Sequence, residues 1–364
     1  MIALEIIFWA CLGALLWTHV LYPLAVSLLV RVRTRTVRRA DIGPTVSVIV
    51  AAHNEELVIA RRLENLLALD YPAGKLQLVV TSDASTDRTE EIAAGFPGVQ
   101  VVRNGRGGKV AAQDNAVRST ESEIVAFTDA NATWAPDALR LLVANFADPD
   151  VAYACGRLIL EAADGSNREG LYWRYELRQR EAESRLGSIT GGNGSIYAVR
   201  RSDYIEVDPK WGHDLSFPYR MVQAGRRAVY EPAALAFEKP TPSNETEYRR
   251  KVRMFEHCWE ITLRGSILKR LPFGYLIEVI SHRILRYGSG VLHLLLLATS
   301  VTLVGQGIVY QLALAAQLAL VAAALLGVGI ARYYVLVTWA TVVSLWNYLR
   351  RGVPATWEAA EGTR

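Results

Sequence analysis

The stretch Thr45–Glu56 reads TVSVIVAAHNEE, and it predicts the fold of the central part of the chain. Its first eight residues form a continuous apolar and β-branched run, which is typical of a strand buried on both faces of a parallel sheet. His53, Asn54 and Glu55 follow at once. Because the carboxyl ends of strands in an open α/β sheet face the ligand crevice, we expect these polar side chains near a binding site.

The residues that follow alternate between helix-like and strand-like patterns. An amphipathic helix across Glu55–Leu69 precedes the strand LQLVVTS (76–82), and a second helix is predicted to start at Thr86. VQVVRN (99–104) and EIVAFTD (123–129) supply two further strands. This order predicts a parallel sheet of the nucleotide-binding type whose strand ends face one crevice.

Asp129 and Asn131 follow the fourth predicted strand. A carboxylate and an amide oxygen two residues apart suit a hard divalent cation such as Mg²⁺ or Mn²⁺, which in turn suits a diphosphate. An ordinary turn or helix N-cap has the same spacing, so this motif alone leaves both interpretations open.

Asp83 ends the second predicted strand, where its carboxylate can reach a nucleobase or ribose donor group. Asp87 is expected instead to cap the next helix. The stretch GRGGK at 105–109 is a glycine-rich basic loop that ends in Lys109. Such a loop lets backbone amides and an ammonium group approach a phosphate.

The composition indicates a mixed membrane and soluble molecule. The 364 residues are 51% hydrophobic and 21% charged, with a mean hydropathy of +0.15. The apolar N-terminal run lacks a basic n-region and ends in an arginine cluster at 31–39, so we expect a retained anchor with the next domain in the cytosol. The three cysteines are widely spaced, which predicts neither a disulfide framework nor a zinc site.

A second apolar block lies near the C-terminus. The segments 290–308 and 310–331 are predicted membrane spans, and 333–349 is either a third span or an interfacial helix. The positive-inside tendency favours two spans and a cytosolic tail. Leu268–Arg286 alternates apolar and basic residues, as in a helix that lies in the membrane interface and guides a lipid-linked acceptor.

The order of motifs resembles the membrane-anchored family 2 glycosyltransferases with a GT-A catalytic domain, related to cellulose and hyaluronan synthase-like enzymes. The motifs are AAHNEE (51–56), SDASTDRTEEIA (82–93), GKVAAQDNA (108–116), FTDANATW (127–134), GLYWRYELRQRE (170–181), ITGGNGSIYAVRR (189–201), GHDLSFPYRMVQAGRRAVYEP (212–232) and RKVRM (250–254). The resemblance implies an α/β GT-A domain with a Rossmann-like mixed sheet, together with transmembrane and interfacial helices. The expected regions are a membrane anchor at 1–31, a cytosolic GT-A domain at 40–243, amphipathic interfacial helices at 244–288, two or three spans at 289–349 and a polar tail at 350–364.

The resemblance also implies roles for the strand-end residues. Glu55 and Asp83 would hold the nucleoside of the donor, and Lys109 would lie near its base or diphosphate. Asp129 and Asn131 match the family's Asp-x-Asp motif for Mg²⁺ or Mn²⁺. Because Asn replaces the second Asp, the metal contact would be weaker or confined to Asp129.

Asp214 matches the family's catalytic aspartate and would take the proton of the acceptor hydroxyl, although a helix N-cap is the alternative. Arg253 matches the arginine of the Gln-x-x-Arg-Trp motif, in which Arg250 here replaces Gln and Met254 replaces Trp. Arg250 and Arg253 would bind the donor diphosphate. The alternative for this basic run is a solvated or membrane-surface face. His213 stands where the family often has an acidic residue.

The predicted acceptor-binding residues are Trp173, Gly191, Gly192 and His213. Aromatic rings stack on sugars, and glycines let a backbone come close to a ligand, although core packing and a tight turn explain the same residues.

We therefore expect an inverting, metal-dependent integral membrane enzyme of the inner or plasma membrane. It would move a sugar from a nucleotide diphosphate sugar, often a UDP-sugar in this family, to a lipid-linked saccharide or glycolipid for cell-surface glycan synthesis, with no nucleic-acid partner. A processive polysaccharide synthase and a catalytically silent membrane sensor or assembly subunit are the alternatives. The imperfect Arg253 motif argues against the first, and the presence of Asp83, Asp129 and Asp214 argues against the second.

Overall fold

The computed structural model describes residues 1–161, 170–240 and 243–356, and it leaves the side chains of Leu171 and Asn244 undescribed. The predicted polar tail from 357 onward lies outside the described residues.

In the described residues, eight strands form one mixed sheet in the order β3-β2-β1-β4-β7-β6-β8-β5. The strands are β1 Val46–Ala52, β2 Leu76–Asp83, β3 Val99–Asn104, β4 Ile124–Asp129, β5 Thr133–Trp134, β6 Val151–Leu160, β7 Tyr197–Arg200 and β8 Arg227–Glu238. The first four strands in this order pair in parallel, and β7 and β5 run antiparallel to their neighbours. The predicted α/β mixed sheet is confirmed.

Helices and two apolar clusters cover the faces of this sheet. Every residue of β1 is buried, as its uninterrupted apolar pattern predicts for a central parallel strand. The helices are α1 Ile2–Leu16, α2 Tyr22–Val32, α3 Ile59–Leu67, α4 Thr89–Ala94, α5 Lys109–Arg118, α6 Ala138–Ala144, α7 Leu171–Leu186, α8 His213–Gln223, α9 Asn244–Arg264, α10 Phe273–Glu278, α11 Leu285–Tyr287, α12 Ser289–Thr302, α13 Ile308–Leu325 and α14 Gly329–Arg351.

Two predicted helix starts are wrong, and local turn chemistry explains the second. The first helix begins at Ile59, not at Glu55, after a turn that includes Asn54 in the left-handed region (φ 54°). The second begins at Thr89, because the Asp87 carboxylate accepts the Thr89 N–H at 3.0 Å and holds a turn there.

The described chain has two helices that are long and apolar enough to cross a membrane. One comprises α1, a π-helical turn and α2, which together run from Ile2 to Val32, and the other is α13, Ile308–Leu325. A third crossing is possible by length if Phe273–Tyr287 and Ser289–Thr302, which meet at a 65° bend, are counted as one span.

Helix α14, predicted as a third span or an interfacial helix, packs against α9. Trp259 of α9 is buried there, and its indole N–H donates to Ser344 Oγ at 3.2 Å. After α14 the chain turns at Gly352 (φ +67°), buries Val353 and brings the Ala355 carbonyl against Gly108. The C-terminal segment therefore contacts the glycine-rich loop.

Candidate active site

A cavity of about 350 Å³ lies beside the carboxyl end of β4 and extends to α14. Lys109, Asp129 and Asp214 line the part next to the sheet, whereas Tyr334 and Thr338 of α14 line the opposite part. The cavity thus joins the predicted catalytic residues to helices that flank the catalytic domain.

An ion pair between Lys109 and Asp129 lies in this cavity. Each side chain is 24% exposed, so the pair is only partly solvated. Burial alone would lower the pKa of Lys109, but the adjacent Asp129 carboxylate outweighs it and raises that pKa. Lys109 therefore places a fixed positive charge at the end of β4.

Asp214 lies in the first turn of α8, whose N-cap is Gly212. The alternative that Asp214 caps this helix is wrong, because no side chain makes a capping hydrogen bond there. A Cβ added to Gly194 would lie 3.6 Å from Asp214 Oδ2 and 3.8 Å from Lys109 Nζ, so both groups face the same point on the glycine-rich segment. Among the described residues, the Asp214 carboxylate makes no hydrogen bond or ion pair, and it lines the cavity, so its oxygens are open to a ligand.

Glu238 is a cavity residue that sequence reasoning missed. It ends β8 and accepts a hydrogen bond from the Ser195 hydroxyl. Burial, followed by repulsion from Asp129, raises the pKa of Glu238. The signal was present in the sequence, since Glu238 ends a strand just as Asp129 does.

The pair Asp129 and Glu238 suits a divalent cation, because a positive charge shared by the two carboxylates would offset the repulsion that Asp129 exerts on Glu238. Asn131 does not line the cavity. In the described parts of the chain, no group of three or more His, Cys, Asp and Glu side chains could hold a metal ion. Asp129 and Glu238 alone would supply only part of a metal's ligands. A bound diphosphate or water would supply the others.

Helix α9 presents Arg250 and Lys251 to the cavity, whereas Arg253 is outside its lining. Helical periodicity explains this difference. Met254 and Phe255 lie four positions after Arg250 and Lys251, so these four side chains share the face of α9 that lines the cavity. Each of the two lining cations lies 3.5 Å from Glu247. Motif spacing had suggested Arg250 and Arg253 and had missed Lys251.

Asp83 is buried, and its carboxylate holds the glycine-rich loop. The amides of Gly107 and Gly108 donate to Asp83 Oδ1 at 2.7 and 3.0 Å, and Arg106 donates to Oδ2 at 2.8 Å. The two loop amides therefore bind Asp83, although the sequence suggested that they approach a phosphate. Neither Asp83 nor the buried Glu55 lines the cavity.

Three of the four predicted acceptor residues line the cavity, namely Trp173, Gly191 and Gly192. The amide of Gly192 donates to the Asp214 carbonyl at 2.7 Å, which ties this glycine segment to α8. A Cβ on Gly191 would lie 2.5 Å from Arg283 Nη2, so a larger residue there would require the Arg283 side chain to move.

His213 is buried and lies outside the cavity lining. Its Nδ1 is 3.0 Å from Tyr197 Oη, and its ring stacks on Phe217 with centroids 4.3 Å apart. Burial lowers the pKa of His213. Its contacts are those of a core residue beneath Asp214.

The predicted interfacial stretch Leu268–Arg286 directs two of its basic residues inward. Arg286 pairs with Glu176, and Arg283 donates to Thr190 Oγ1 at 3.0 Å. The expectation that this stretch uses its basic residues at a membrane surface is therefore wrong for these two arginines, because acidic and polar partners hold them in the cavity wall.

The sequence of this chain is similar to a family profile and to several named glycosyltransferases and lipid synthases. The sequence profile described as "Glycosyl transferase family 2" matches residues 47–208. A β-monoglucosyldiacylglycerol synthase of Synechocystis sp. is 33% identical over 175 residues, which is 44% of this chain and 36% of that protein. An N-acetylglucosaminyltransferase of Bradyrhizobium diazoefficiens is 30% identical over 260 residues, 64% of this chain and 53% of that protein. The chain thus spans about half the length, or less, of these two relatives.

The overall fold is similar to that of the mannosyltransferase PcManGT from Pyrobaculum calidifontis, solved in complex with GDP-Man and Mn²⁺. The TM-score is 0.75 with 23% sequence identity, and the match covers 95% of this chain and 97% of that one. This likeness extends through the terminal helices as well as the sheet. The profile match shows that residues 47–208 carry a glycosyl transferase family 2 domain, and the structural likeness shows that the domain is built on the GT-A fold.

Proposed function

We propose that the protein transfers a sugar from a nucleotide diphosphate sugar to a lipid-linked or glycolipid acceptor at the cytosolic face of a membrane. The observation that carries this proposal is the single cavity that joins Lys109, Asp129 and Asp214 to Tyr334 and Thr338 of α14. His19 lies within the apolar helix Ile2–Val32 and also lines this cavity, which supports an acceptor that reaches the site from a membrane. The helices Ile2–Val32 and Ile308–Leu325 support integral membrane insertion.

In the proposed reaction, the acceptor hydroxyl oxygen bonds to the anomeric carbon of the donor sugar. The bond from that carbon to the diphosphate breaks, and the configuration inverts. Asp214 takes the hydroxyl proton, which avoids formation of a charged oxonium product. Lys109, Arg250 and Lys251 line the same cavity and would stabilise the negative charge on the leaving diphosphate.

A divalent cation is part of the proposal. Asp129 and Glu238 would hold Mg²⁺ or Mn²⁺, and the family motif adds Asn131 as a further oxygen ligand. When bound, the cation would neutralise the diphosphate. The solved PcManGT complex contains GDP-Man and Mn²⁺, which supports this donor class.

The nucleoside would lie near the ends of β1 and β2, where Glu55 and Asp83 are found, as in the family pattern. A UDP-sugar is the donor that this pattern favours. Asp83 would exchange its contact with Arg106 for one with the base. Trp173, Gly191 and Gly192 would line the acceptor side.

The Synechocystis relative is named a β-monoglucosyldiacylglycerol synthase, which supports a lipid acceptor. A role in cell-surface glycan synthesis is part of the same proposal. Arg253 lies outside the cavity lining, so the processive alternative gains no support from its motif.

The test is release of nucleoside diphosphate by the full chain in detergent, screened over nucleotide sugars with Mg²⁺ or Mn²⁺ and with extracted lipid as acceptor. We expect metal-dependent release from one donor and a lipid product extended by one sugar or a few. Donor binding without turnover would contradict this function and favour a silent binding subunit. A long polymer ladder would favour the processive synthase.

A further inference from the structure

Arg180 of α7 is a buried cation that the proposed reaction does not use. It is 8% exposed and lines the cavity. Its Nε and Nη1 atoms lack hydrogen-bond partners among the described residues, and its guanidinium lies 5.7 Å from the centroid of the Tyr230 ring. Because a buried guanidinium is unfavourable without a counter-charge, this arrangement points to an anion in the cavity.

Two carboxylates on the same face of α7 as Arg180 have other partners. Glu176, one turn earlier, pairs with Arg286. Glu183, almost one turn later, lies 2.6 Å from His282 Nδ1 and accepts a hydrogen bond from Tyr22. Neither carboxylate forms an ion pair with Arg180 in the described chain. The charge of Arg180 is thus left for a ligand.

Arg283 adds a second guanidinium to this part of the cavity. It lies in the π-helical turn Val279–Ile284, and Thr190 accepts its Nε–H at 3.0 Å. Its Nη2 lies against Gly191, next to the glycine whose amide binds the Asp214 carbonyl. Two arginines therefore line the same cavity as Asp214, and guanidinium groups suit a phosphate.

A second, apolar cavity of about 170 Å³ adjoins the first at α14. It lies among α12, α13 and α14 and is lined by side chains such as Leu297 and Leu318. Tyr334 and Thr338 line both cavities. A ligand can therefore have its polar part in the catalytic cavity and its hydrocarbon part in this groove between the helices.

We propose that the acceptor is a lipid in which a phosphate links the hydrocarbon chain to a hydroxyl-bearing headgroup. Arg180 and Arg283 bind the phosphate, the groove at Leu297 holds the chain, and the headgroup hydroxyl reaches Asp214. This inference rests on the proposed function, since it defines the acceptor of the same site. It differs from transfer to neutral diacylglycerol, which offers no anion to Arg180.

The first test measures lipid binding by the purified full chain, using native mass spectrometry in detergent. The probes are phosphatidylglycerol, diacylglycerol with the same acyl chains, and inorganic phosphate. We expect phosphatidylglycerol to bind at least about tenfold more tightly than diacylglycerol, and Arg180→Gln to remove that preference. The control Arg178→Gln, at an exposed position of the same helix, retains it. Equal binding of both lipids, or an unchanged preference in Arg180→Gln, overturns the inference.

The second test addresses the groove. Leu297→Trp fills it and should weaken phosphatidylglycerol binding about tenfold, whereas Leu295→Trp, on the same helix but outside the groove lining, should not. Inorganic phosphate should compete only weakly, because it lacks the chain. Equal binding of inorganic phosphate and phosphatidylglycerol would show a free-phosphate site and overturn the lipid assignment.

Two further measurements separate a binding role of Arg180 from a structural role. Without lipid, Arg180→Gln should raise the thermal midpoint, because it removes an unpaired buried charge. Binding of the nucleoside diphosphate should stay unchanged. A lowered midpoint with unchanged lipid preference would mean a structural role.

Turnover on diacylglycerol that is insensitive to Arg180→Gln would overturn this inference and leave the proposed transferase intact, whereas absence of turnover on any lipid would contradict the transferase itself.

Discussion

Lys109 and Asp129 form a direct ion pair inside the cavity, although Lys109 begins α5 and Asp129 ends β4. The pair brings the glycine-rich loop and the strand-end motif together at the point where the diphosphate is proposed to leave. Two segments that looked like separate phosphate and metal signals in the sequence therefore form one electrostatic unit.

Replacing Lys109 should reduce turnover. Lys109→Met removes a positive charge beside the leaving diphosphate, and we expect kcat to fall by about 10²-fold or more. Steady-state assays of nucleoside diphosphate release measure this effect. The matched control is Lys75→Met, an exposed lysine whose ammonium contacts only the Gly43 carbonyl among its described hydrogen bonds. Equal activity of the Lys109 variant and the wild type would contradict the proposed role.

Replacing Asp214 should separate binding from chemistry. Asp214→Asn keeps the shape of the side chain but removes its basicity, so we expect kcat to fall by about 10²- to 10⁴-fold with little change in donor affinity. Turnover and calorimetric donor binding provide the two measurements. Asp208→Asn, at an exposed position just before α8, is the control. An equally large loss of donor affinity would assign Asp214 to donor binding.

The stability of the metal-free protein should depend on pH through Glu238. Burial and Asp129 raise the pKa of Glu238, so the folded protein keeps this proton to higher pH than the unfolded chain does. The resulting stabilisation is fully present below the ordinary glutamate pKa. It is lost as the pH rises through the raised pKa that Glu238 has in the folded protein. Glu238→Gln should therefore show a smaller decline in unfolding free energy over this interval.

Chemical denaturation at a series of pH values measures that difference, with the exposed Glu121→Gln as control. Mn²⁺ should stabilise the wild type more at the upper end of the interval, where Glu238 has lost its proton, and should stabilise Glu238→Gln less. The same pH profile in the wild type and Glu238→Gln would be inconsistent with a titrating carboxylate at this position.

The contact between α9 and α14 should be important for stability. Trp259→Ala deletes a buried indole and its hydrogen bond to Ser344, and we expect a loss of about 3–5 kcal/mol in the free energy of unfolding. Trp339→Ala, which removes an indole that is 51% exposed, should change it by less than about 0.5 kcal/mol. Denaturant titration of the detergent-solubilised protein compares the two. Equal losses would mean that α14 does not support α9.

Local patterns predicted the sheet well. The strand VQVVRN coincides with β3, Val99–Asn104, and EIVAFTD differs from β4 by only one residue, because apolar periodicity is a property of adjacent residues. The helix starts near Glu55 and Thr86 were placed too early. A helical pattern does not reveal the hydrogen bond from Thr89 N–H to Asp87 that delays the second start.

The site was predicted less completely, since it depends on packing between distant segments. His282 and Glu176 are 106 positions apart, and no spacing rule connects them. Lys251 was missed because a motif aligned on Arg253 does not reveal which face of α9 meets the cavity. Arg180 stood within the conspicuous helix at 170–181, but its lack of an acidic partner is visible only after folding.

The cavity shared by the sheet domain and α14 has a practical consequence for protein engineering. Because Tyr334 and Thr338 form part of its wall, a fragment truncated before Ser289 would carry the predicted catalytic aspartate but have an open, incomplete acceptor chamber. Such a fragment, which keeps the apolar helix Ile2–Val32, should hydrolyse donor slowly or remain inactive instead of glycosylating lipid. Inhibitors of the intact enzyme would enter the cavity from the bilayer. Their apparent affinity would therefore increase with their partitioning into lipid.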